Sequence, residues 1–432
     1  MRDVGDGLVL RRSTPADAEA LAAFNGAIFR EAGAAGWTRD LLSRPHPTFG
    51  VGDFTIVEDA RTGAIVSSLN LISQTWSYDG IRFGVGRPEL VGTKPEYRQR
   101  GLVRVQFEEI HRWSAERGEA VQAITGIPYF YRQFGYEMGL SLDAGRAGTR
   151  GDVPRLKDGE TEPFRVRPAT AGDLPFIARV YQESATRYRV ACVRDEALWK
   201  YELDGRSAEN GSRFQLGVIE AGDGESVGYL AHRGDLASGR AVVVRSYELR
   251  HGVSWLAVTP SIFRYLDQSG EEYARQDGKG EYSAISFQLG MEHPVYQALG
   301  SRLPRSLPPY AWYVRVADLP GFLRLVTPAL ERRLAESIAV GHSGELKIGF
   351  YRAGVRLFFE RGRVVGIEDW SPTASEGGDA RFPHLTFLQL LLGYRTFEEL
   401  QYAYADCNAS NDARVVLGAL FPKRPANVWP IA

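Results

Sequence analysis

Val91-Gly92-Thr93-Lys94-Pro95-Glu96-Tyr97-Arg98-Gln99-Arg100-Gly101-Leu102-Val103-Arg104 reads as the end of a strand, a basic glycine turn and the opening of a helix. Arg98, Arg100 and Arg104 fall close together with no acid among them, and Gly101 lets backbone approach a ligand where a side chain would stand in the way. The N–H groups that open a helix have no intrahelical partner, and the helix dipole adds partial positive charge there. The stretch is suited to seat an anion of the pyrophosphate kind on its backbone.

The residues downstream of the turn extend the pattern. From 101 to about 117 the apolar residues Val103, Phe107 and Ile110 recur at the spacing of one buried helix face, and Gly118 stops the helix. A short apolar run at 121–124 reads as a strand. In Gly126-Ile127-Pro128-Tyr129-Phe130-Tyr131-Arg132-Gln133-Phe134-Gly135-Tyr136, proline and glycine bracket one or two helical turns.

This ordered set resembles the GNAT acyl-CoA N-acyltransferases, whose signature is Gln/Arg-x-x-Gly-x-Gly/Ala after a strand, followed later by a Phe-Tyr-x-x-x-Gly segment. Arg98, Gly101, Tyr131 and Gly135 match it, and Val103 stands where that family has Gly or Ala. The resemblance implies an acetyl-CoA site formed by Val91, Gly92, Thr93, Arg98, Gln99, Arg100, Gly101, Leu102, Val103 and Arg104. In it the strand end holds the pantetheine arm. The resemblance also makes Tyr131 the general acid: a phenol of reference pKa about 10 stays protonated at neutral pH and can protonate a departing thiolate. Direct attack in a ternary complex is expected, with no acyl-enzyme.

The chain has 432 residues, 44% hydrophobic and 24% charged, a composition with room for about two to four packed domains. A net charge of -1 argues against bulk attraction to nucleic acid or anionic membranes, so neither is expected as a partner. Cys192 and Cys407 stand far apart with no CxxC, which indicates neither a disulfide framework nor a thiolate metal site, and no metal is expected. Residues 1–14 lack the apolar core of a signal peptide, and no run approaches the roughly 20 apolar residues of a membrane helix. A soluble cytoplasmic protein is expected.

An internal repeat is the second large clue. Leu10-Arg11-Arg12-Ser13-Thr14-Pro15-Ala16-Asp17 recurs as Val166-Arg167-Pro168-Ala169-Thr170-Ala171-Gly172-Asp173, with Arg, Thr and Asp in register. Each copy reads as a strand running into a helix, with Thr14 and Thr170 as N-caps. Val295-Tyr296-Gln297-Ala298-Leu299-Gly300-Ser301 repeats the tyrosine segment, but upstream of it Arg250-His251-Gly252-Val253-Ser254-Trp255 has no basic Arg-x-x-Gly-x turn. Tyr296 is therefore expected to be a packing residue, with one cofactor site per chain.

After about Tyr310 the character changes. A strand ends near Pro320, a helix is expected over 321–338, and 345–350, 355–360 and 364–369 read as short strands of an antiparallel meander. Helices return at 385–392, 396–403 and 412–420. This region resembles the sterol-carrier-protein-like (SCP2-like) domain that closes the Eis-type acetyltransferases, particularly Leu390-Leu391-Leu392-Gly393-Tyr394-Arg395-Thr396-Phe397-Glu398-Glu399-Leu400. The implied fold class is α/β and α+β: tandem GNAT domains at 1–155 (catalytic) and 156–308 (degenerate), each a mixed central sheet flanked by helices, then an SCP2-like α+β domain at 309–432. The resemblance further implies a hexamer and a C-terminal carboxylate, here on Ala432, entering the N-terminal active site as a base. Ala432 stands where that family has an aromatic residue.

Glu89, Glu96 and the seven histidines are alternative bases, none singled out by spacing. His111 reads as a surface residue, His293 as part of a loop, and Phe421 and Trp429 as tail aromatics suited to packing. Trp37, Trp76 and Phe83 are candidates for the acceptor pocket wall. Two functions fit: an acetyl-CoA-dependent N-acetyltransferase acting on a small-molecule or lysine amine, or a non-catalytic acyl-CoA or apolar-ligand binding protein.

Overall fold

The hairpin that carries the basic turn is the longest pairing in the molecule. Ala64–Tyr78 and Ile81–Thr93 run antiparallel around Asp79 and Gly80, both left-handed at φ 45° and 87°, the two-residue turn that Asp-Gly favours. The computed structural model describes residues 1–127, 129–373 and 376–432. Pro128, expected to open the tyrosine segment, lies outside them.

Around the hairpin a first sheet runs in the order Arg2–Gly5, Leu8–Arg12, Phe54–Asp59, Ala64–Tyr78, Ile81–Thr93, Val121–Thr125, Tyr310–Val316, Glu137–Leu142. Val190–Cys192 pairs with the far end of Ala64–Tyr78. A second sheet runs Arg305–Leu307, Gly145–Gly148, Ala284–Phe287, Ala241–Leu249, Ser226–Arg233, Phe214–Ala221, Phe164–Pro168. A third runs Arg363–Trp370, Gly354–Glu360, Gly344–Gly349, Ala380–Arg381, Asn408–Ala409. The chain is thus mixed α/β, with two GNAT-like sheets and then an α+β unit.

Two strands cross the boundaries the sequence implies at 155 and 308. Tyr310–Val316 lies in the first sheet between Val121–Thr125 and Glu137–Leu142, and Gly145–Gly148 lies in the second. The first insertion is driven by burial: Trp312 is fully enclosed, packs edge-on to Trp76 at 5.2 Å and donates to the Val428 carbonyl at 3.2 Å. The second requires glycine, since a Cβ on Gly145 would strike the Phe287 carbonyl. One apolar core joins the first and third sheets, with Phe322 of the helix Leu319–Ala335 against Phe83 at 5.3 Å. Trp76 and Phe83 are therefore core residues, not pocket walls.

The expected meander is present as Gly344–Gly349, Gly354–Glu360 and Arg363–Trp370, extended by two short strands, one of them parallel. Its helices are Leu319–Ala335, Phe387–Leu391, Phe397–Ala403 and Asn411–Leu420. Among the described residues no helix is long and apolar enough to cross a membrane.

The repeat has a physical content. Arg11 forks onto Asp17 at 2.7 and 2.8 Å and onto Glu58 of the neighbouring strand, while Arg167 does the same with Asp173 and Glu220. In each copy the aspartate also accepts from the threonine N–H, at 2.8 Å, which ties strand end to helix start. Thr14 and Thr170 stand at the N-cap as expected, and their hydroxyls donate to the same aspartates at 2.9 and 2.8 Å. The Arg11 hydrogen bond holds the Asp17 carboxyl down at about 2. A depressed carboxyl stabilises the fold above its unfolded pKa of about 4, and that contribution is lost as pH falls toward 2. Asp17→Asn is expected to lower stability at pH 7 by about 1 kcal/mol or more, about 2–4 °C in Tm per kcal/mol. In thermal unfolding across pH 2–7 the gap should close in acid; a pH-independent gap would contradict the pairing.

Candidate active site

The site begins where two parallel strands part. Ile81–Thr93 pairs with Val121–Thr125 only at Val85–Val121 and Gly86–Gln122, after which they diverge. Beyond this point Ile81–Thr93 stays paired to Ala64–Tyr78 on its other edge, and Val121–Thr125 is held by Tyr310–Val316. A wedge opens between them. At its wall the register with Ala64–Tyr78 slips, so that Leu90 and Val91 face Leu69 alone, and Leu90 adopts φ 51°. Such a bulge interrupts the ladder and turns backbone groups toward the opening.

The basic turn comes directly after the bulged strand. Tyr97 donates to Asp59 at 2.9 Å, anchoring the start, and Gln99 and Gly101 are left-handed at φ 64° and 74°. Buried Leu102 packs on Leu8, Leu10, Val57 and Val66, pinning the first residue of the helix Leu102–Glu116. Fully buried Gln106 fastens that helix to the sheet: its Nε2 donates to Ser67 at 2.7 Å and its Oε1 accepts from Thr55 at 2.9 Å. Arg98, Gln99, Arg100, Gly101 and Arg104 are exposed, and none of the three arginines has an acidic partner among the described residues. A Cβ at Gly101 would meet nothing within 4 Å. The loop is not filled by its own side chains, so its amides and guanidiniums fit a diphosphate.

The remaining predicted cofactor residues line the wedge or support it. Val91 and Val103 pack partly buried in the cluster that holds Tyr131. Gly92 admits Ile28, whose methyl would stand 2.9 Å from an added Cβ, and Thr93 pairs with Ser67 at 2.7 Å.

Tyr131 sits in the short helix Phe130–Phe134, 5% exposed, its ring against Phe107, Phe130, Tyr136 and Tyr313. Its hydroxyl has no hydrogen-bond partner among the described residues. Burial, reinforced by the field of Glu89 and by Tyr310, pushes the phenol well above its usual pKa. Glu89 itself accepts from Arg87 and from Thr125, both at 2.9 Å, across the mouth of the wedge. Glu96 stays exposed on the turn.

The chain's last residues thread into this interior. Arg87 donates to the Ile431 carbonyl at 2.5 Å and Gln74 to the same oxygen at 3.2 Å. Arg206 reaches Ala432 at 2.9 Å, and Arg194 holds the Trp429 carbonyl at 3.1 Å. Burial pushes the Glu202 carboxyl up, but Arg206 and Arg194 outweigh it and hold it below the usual range. His46 lies against the same end, lowered to about 4 by burial and Arg206, so it is neutral at pH 7. Trp429 packs on Trp199 and Phe214, and Phe421 on Phe387. Trp37 lies near Arg87.

Two histidines differ from their sequence expectation. His111 is half-buried on the helix, 2.8 Å from the Tyr136 hydroxyl, and burial lowers it to about 3. His293 is buried and caps a helix by accepting from Val295 N–H at 3.2 Å. Tyr296 is the packing residue expected: its hydroxyl lies 2.9 Å from the Gly290 carbonyl and 3.1 Å from that of Phe287.

Residues 10–139 match the family model described as acetyltransferase (GNAT) domain. The chain is an acyltransferase. No curated protein matches it. The fold resembles a probable N-acyltransferase from Enterococcus faecalis V583 at 15% identity and a TM-score of 0.69, covering 98% of this chain and 100% of that one. A GCN5-related N-acetyltransferase from Kribbella flavida is similar at 18% identity and 0.66, covering 99% of both. Eis1 from Mycobacterium abscessus is similar at 17% identity and 0.63, covering 97% of this chain and 99% of that one. These likenesses span the whole fold, and the GNAT domain brings with it an acyl-CoA co-substrate.

Gly126 offers a direct test of the ring's placement, because a Cβ there would lie 2.5 Å from Tyr131 Cε2 and 2.9 Å from its hydroxyl. Gly126→Ala is expected to displace the ring and reduce single-turnover acyl transfer about tenfold or more. Turnover at the wild-type rate would show that the ring position is immaterial.

Proposed function

We propose that the chain is an acetyl-CoA-dependent N-acetyltransferase acting by direct attack in a ternary complex. The observation that carries this is the open wedge, with an anion-ready turn at one side and the unpartnered Tyr131 hydroxyl within the field of Glu89. In this reading the amides at 99–103 and Arg98, Arg100 and Arg104 take the diphosphate, and the strand edge Val91, Gly92 and Thr93 takes the pantetheine arm. Acetyl-CoA supplies the thioester. The acceptor nitrogen bonds to its carbonyl carbon, the C–S bond breaks, and Tyr131 gives its proton to the leaving thiolate.

The amine must lose a proton as well. We assign that step to the terminal carboxylate of Ala432, buried in the same polar set as Arg87. Its reference pKa of about 3.3–3.7 against about 10.4 for an alkylammonium means that it serves an amine already depressed by burial, or acts through water. Glu89 is the second candidate, favoured by its field at Tyr131 and its place at the wedge mouth. The acceptor is a small-molecule or lysine amine.

The likeness in fold to Eis1 runs along 97% of the chain. In the wider reading 1–155 is the catalytic GNAT domain, 156–308 its degenerate copy and 309–432 an SCP2-like domain, and the family resemblance of the sequence motifs makes a hexamer the proposed assembly. Cys192 and Cys407 are both buried free thiols, which supports a reducing cytoplasm.

Tyr131→Phe is expected to lower kcat on a responsive amine about a hundredfold while the Kd for acetyl-CoA changes less than about threefold. Because its pKa is raised, the wild-type kcat should show no falling limb from Tyr131 below about pH 10. Equal losses in kcat and in cofactor binding would contradict its role. Removal of 430–432 should cut kcat more than Glu89→Gln does if Ala432 is the base; the reverse order transfers the role to Glu89. Tight acetyl-CoA binding with no thiol release on any amine would favour the non-catalytic reading.

A further inference from the structure

A second concave site lies at the other end of the long hairpin. A cavity of about 540 Å³ opens where the hairpin tip, the helix Leu174–Ala185, the helix Leu319–Ala335 and residues 422–424 meet. Arg82 stands here, at the opposite end of Ile81–Thr93 from the cofactor turn. At about 3.3 Å per residue this puts the two sites roughly 30 Å apart.

The cavity is unbalanced in charge. Lys423 and Arg194 are matched by Glu399 and Glu202. The other charged residues lining it are the guanidiniums of Arg82, Arg189, Arg332, Arg333 and Arg424, against Asp79 and Glu336. Asp79 is shared three ways: it accepts from Arg333 and from Arg424 at 2.9 and 3.1 Å and lies 3.6 Å from Arg189. Arg332 donates only to the Asp79 carbonyl, at 3.0 Å, and Arg82 has no polar partner among the described residues.

Arg189 forms part of the cavity's buried wall: its side chain is 1% exposed, donates to the Pro422 carbonyl and lies 3.5 Å from the Tyr78 hydroxyl and 3.6 Å from Asp79. It adds buried positive charge behind the exposed Arg82 and Arg332. Arginine forks match phosphoryl oxygens in geometry and charge. The volume lies within the range of small-molecule sites and exceeds what one inorganic ion fills.

We infer that this cleft binds a small phosphorylated organic molecule, its phosphoryl group received by Arg82 and Arg332. The ligand neutralises the excess charge at the junction of the hairpin tip and the two helices.

The test is calorimetric titration of the full-length protein with ATP, pyrophosphate and inorganic phosphate. It compares wild type, the double variant Arg82→Glu/Arg332→Glu and Arg98→Ala. Arg82 and Arg332 are exposed, so the fold is expected to survive, with circular dichroism and Tm as the check. The expected result is ATP binding about tenfold or more tighter than inorganic phosphate, weakened at least about tenfold in the double variant and retained in Arg98→Ala. Loss in Arg98→Ala with retention in the double variant would place all anion binding at the cofactor turn and overturn the inference. Inorganic phosphate binding as tightly as ATP would overturn the organic ligand. Absence of binding by any probe, with dissociation of an oligomer in the double variant, would instead make the cleft a contact between copies of the chain.

Discussion

Two parallel strands that pair at only two positions and then part are the constraint on which the rest of the molecule depends. Unpaired backbone inside a protein is costly, so a sheet does not stay split unless something holds each lip. Here Ala64–Tyr78 holds one lip and the late strand Tyr310–Val316 holds the other, through five register pairs with Val121–Thr125. Glu89 bridges the mouth to Thr125 and, through Arg87, to the tail. The strand insertion, the buried Trp312 and the threaded tail are therefore supports of a single opening.

The second sheet carries the corresponding parallel pair with a different register of closure. Ala241–Leu249 and Ala284–Phe287 stay paired through four positions, and the Gln288 N–H continues the ladder to Val244 at 3.0 Å. The Tyr296 hydroxyl is spent on the backbone around Gly290, and the turn before the helix Trp255–Asp277 has no arginine cluster facing an open groove. The parallel pairing is longer in the second copy than in the first, ending at Val244 while its strand continues to Leu249. Of the two tyrosine segments, the phenol is unpartnered at Tyr131 and bonded at Tyr296.

Much of this was legible in the residues because it is local. The turn from Arg98 to Arg104, the helix behind it and the tyrosine segment lie within a single stretch, and the Arg-Thr-Asp repeat encodes a clasp closed within seven residues by Arg11 and Asp17. What was not legible is non-local. Tyr310–Val316 reads as an ordinary apolar strand, and nothing in its pattern says that its partners lie nearly two hundred residues earlier. Arg87, Arg194 and Arg206 look like surface charges until the tail gives them carbonyl and carboxylate oxygens to hold, and His293 looks like a loop residue until burial makes it a cap. The bulge at Leu90 has no signature, since leucine is an unusual choice for a left-handed residue.

Backbone hydrogen exchange with and without acetyl-CoA is the decisive measurement, because it reports on the very amides that the wedge and turn offer. Slowed exchange at 89–93 and 99–103 is expected on addition of acetyl-CoA, with the corresponding segment of the second copy at 247–255 unchanged. Protection confined to other segments, with 99–103 exchanging as in the free protein, would contradict a cofactor seated in the wedge.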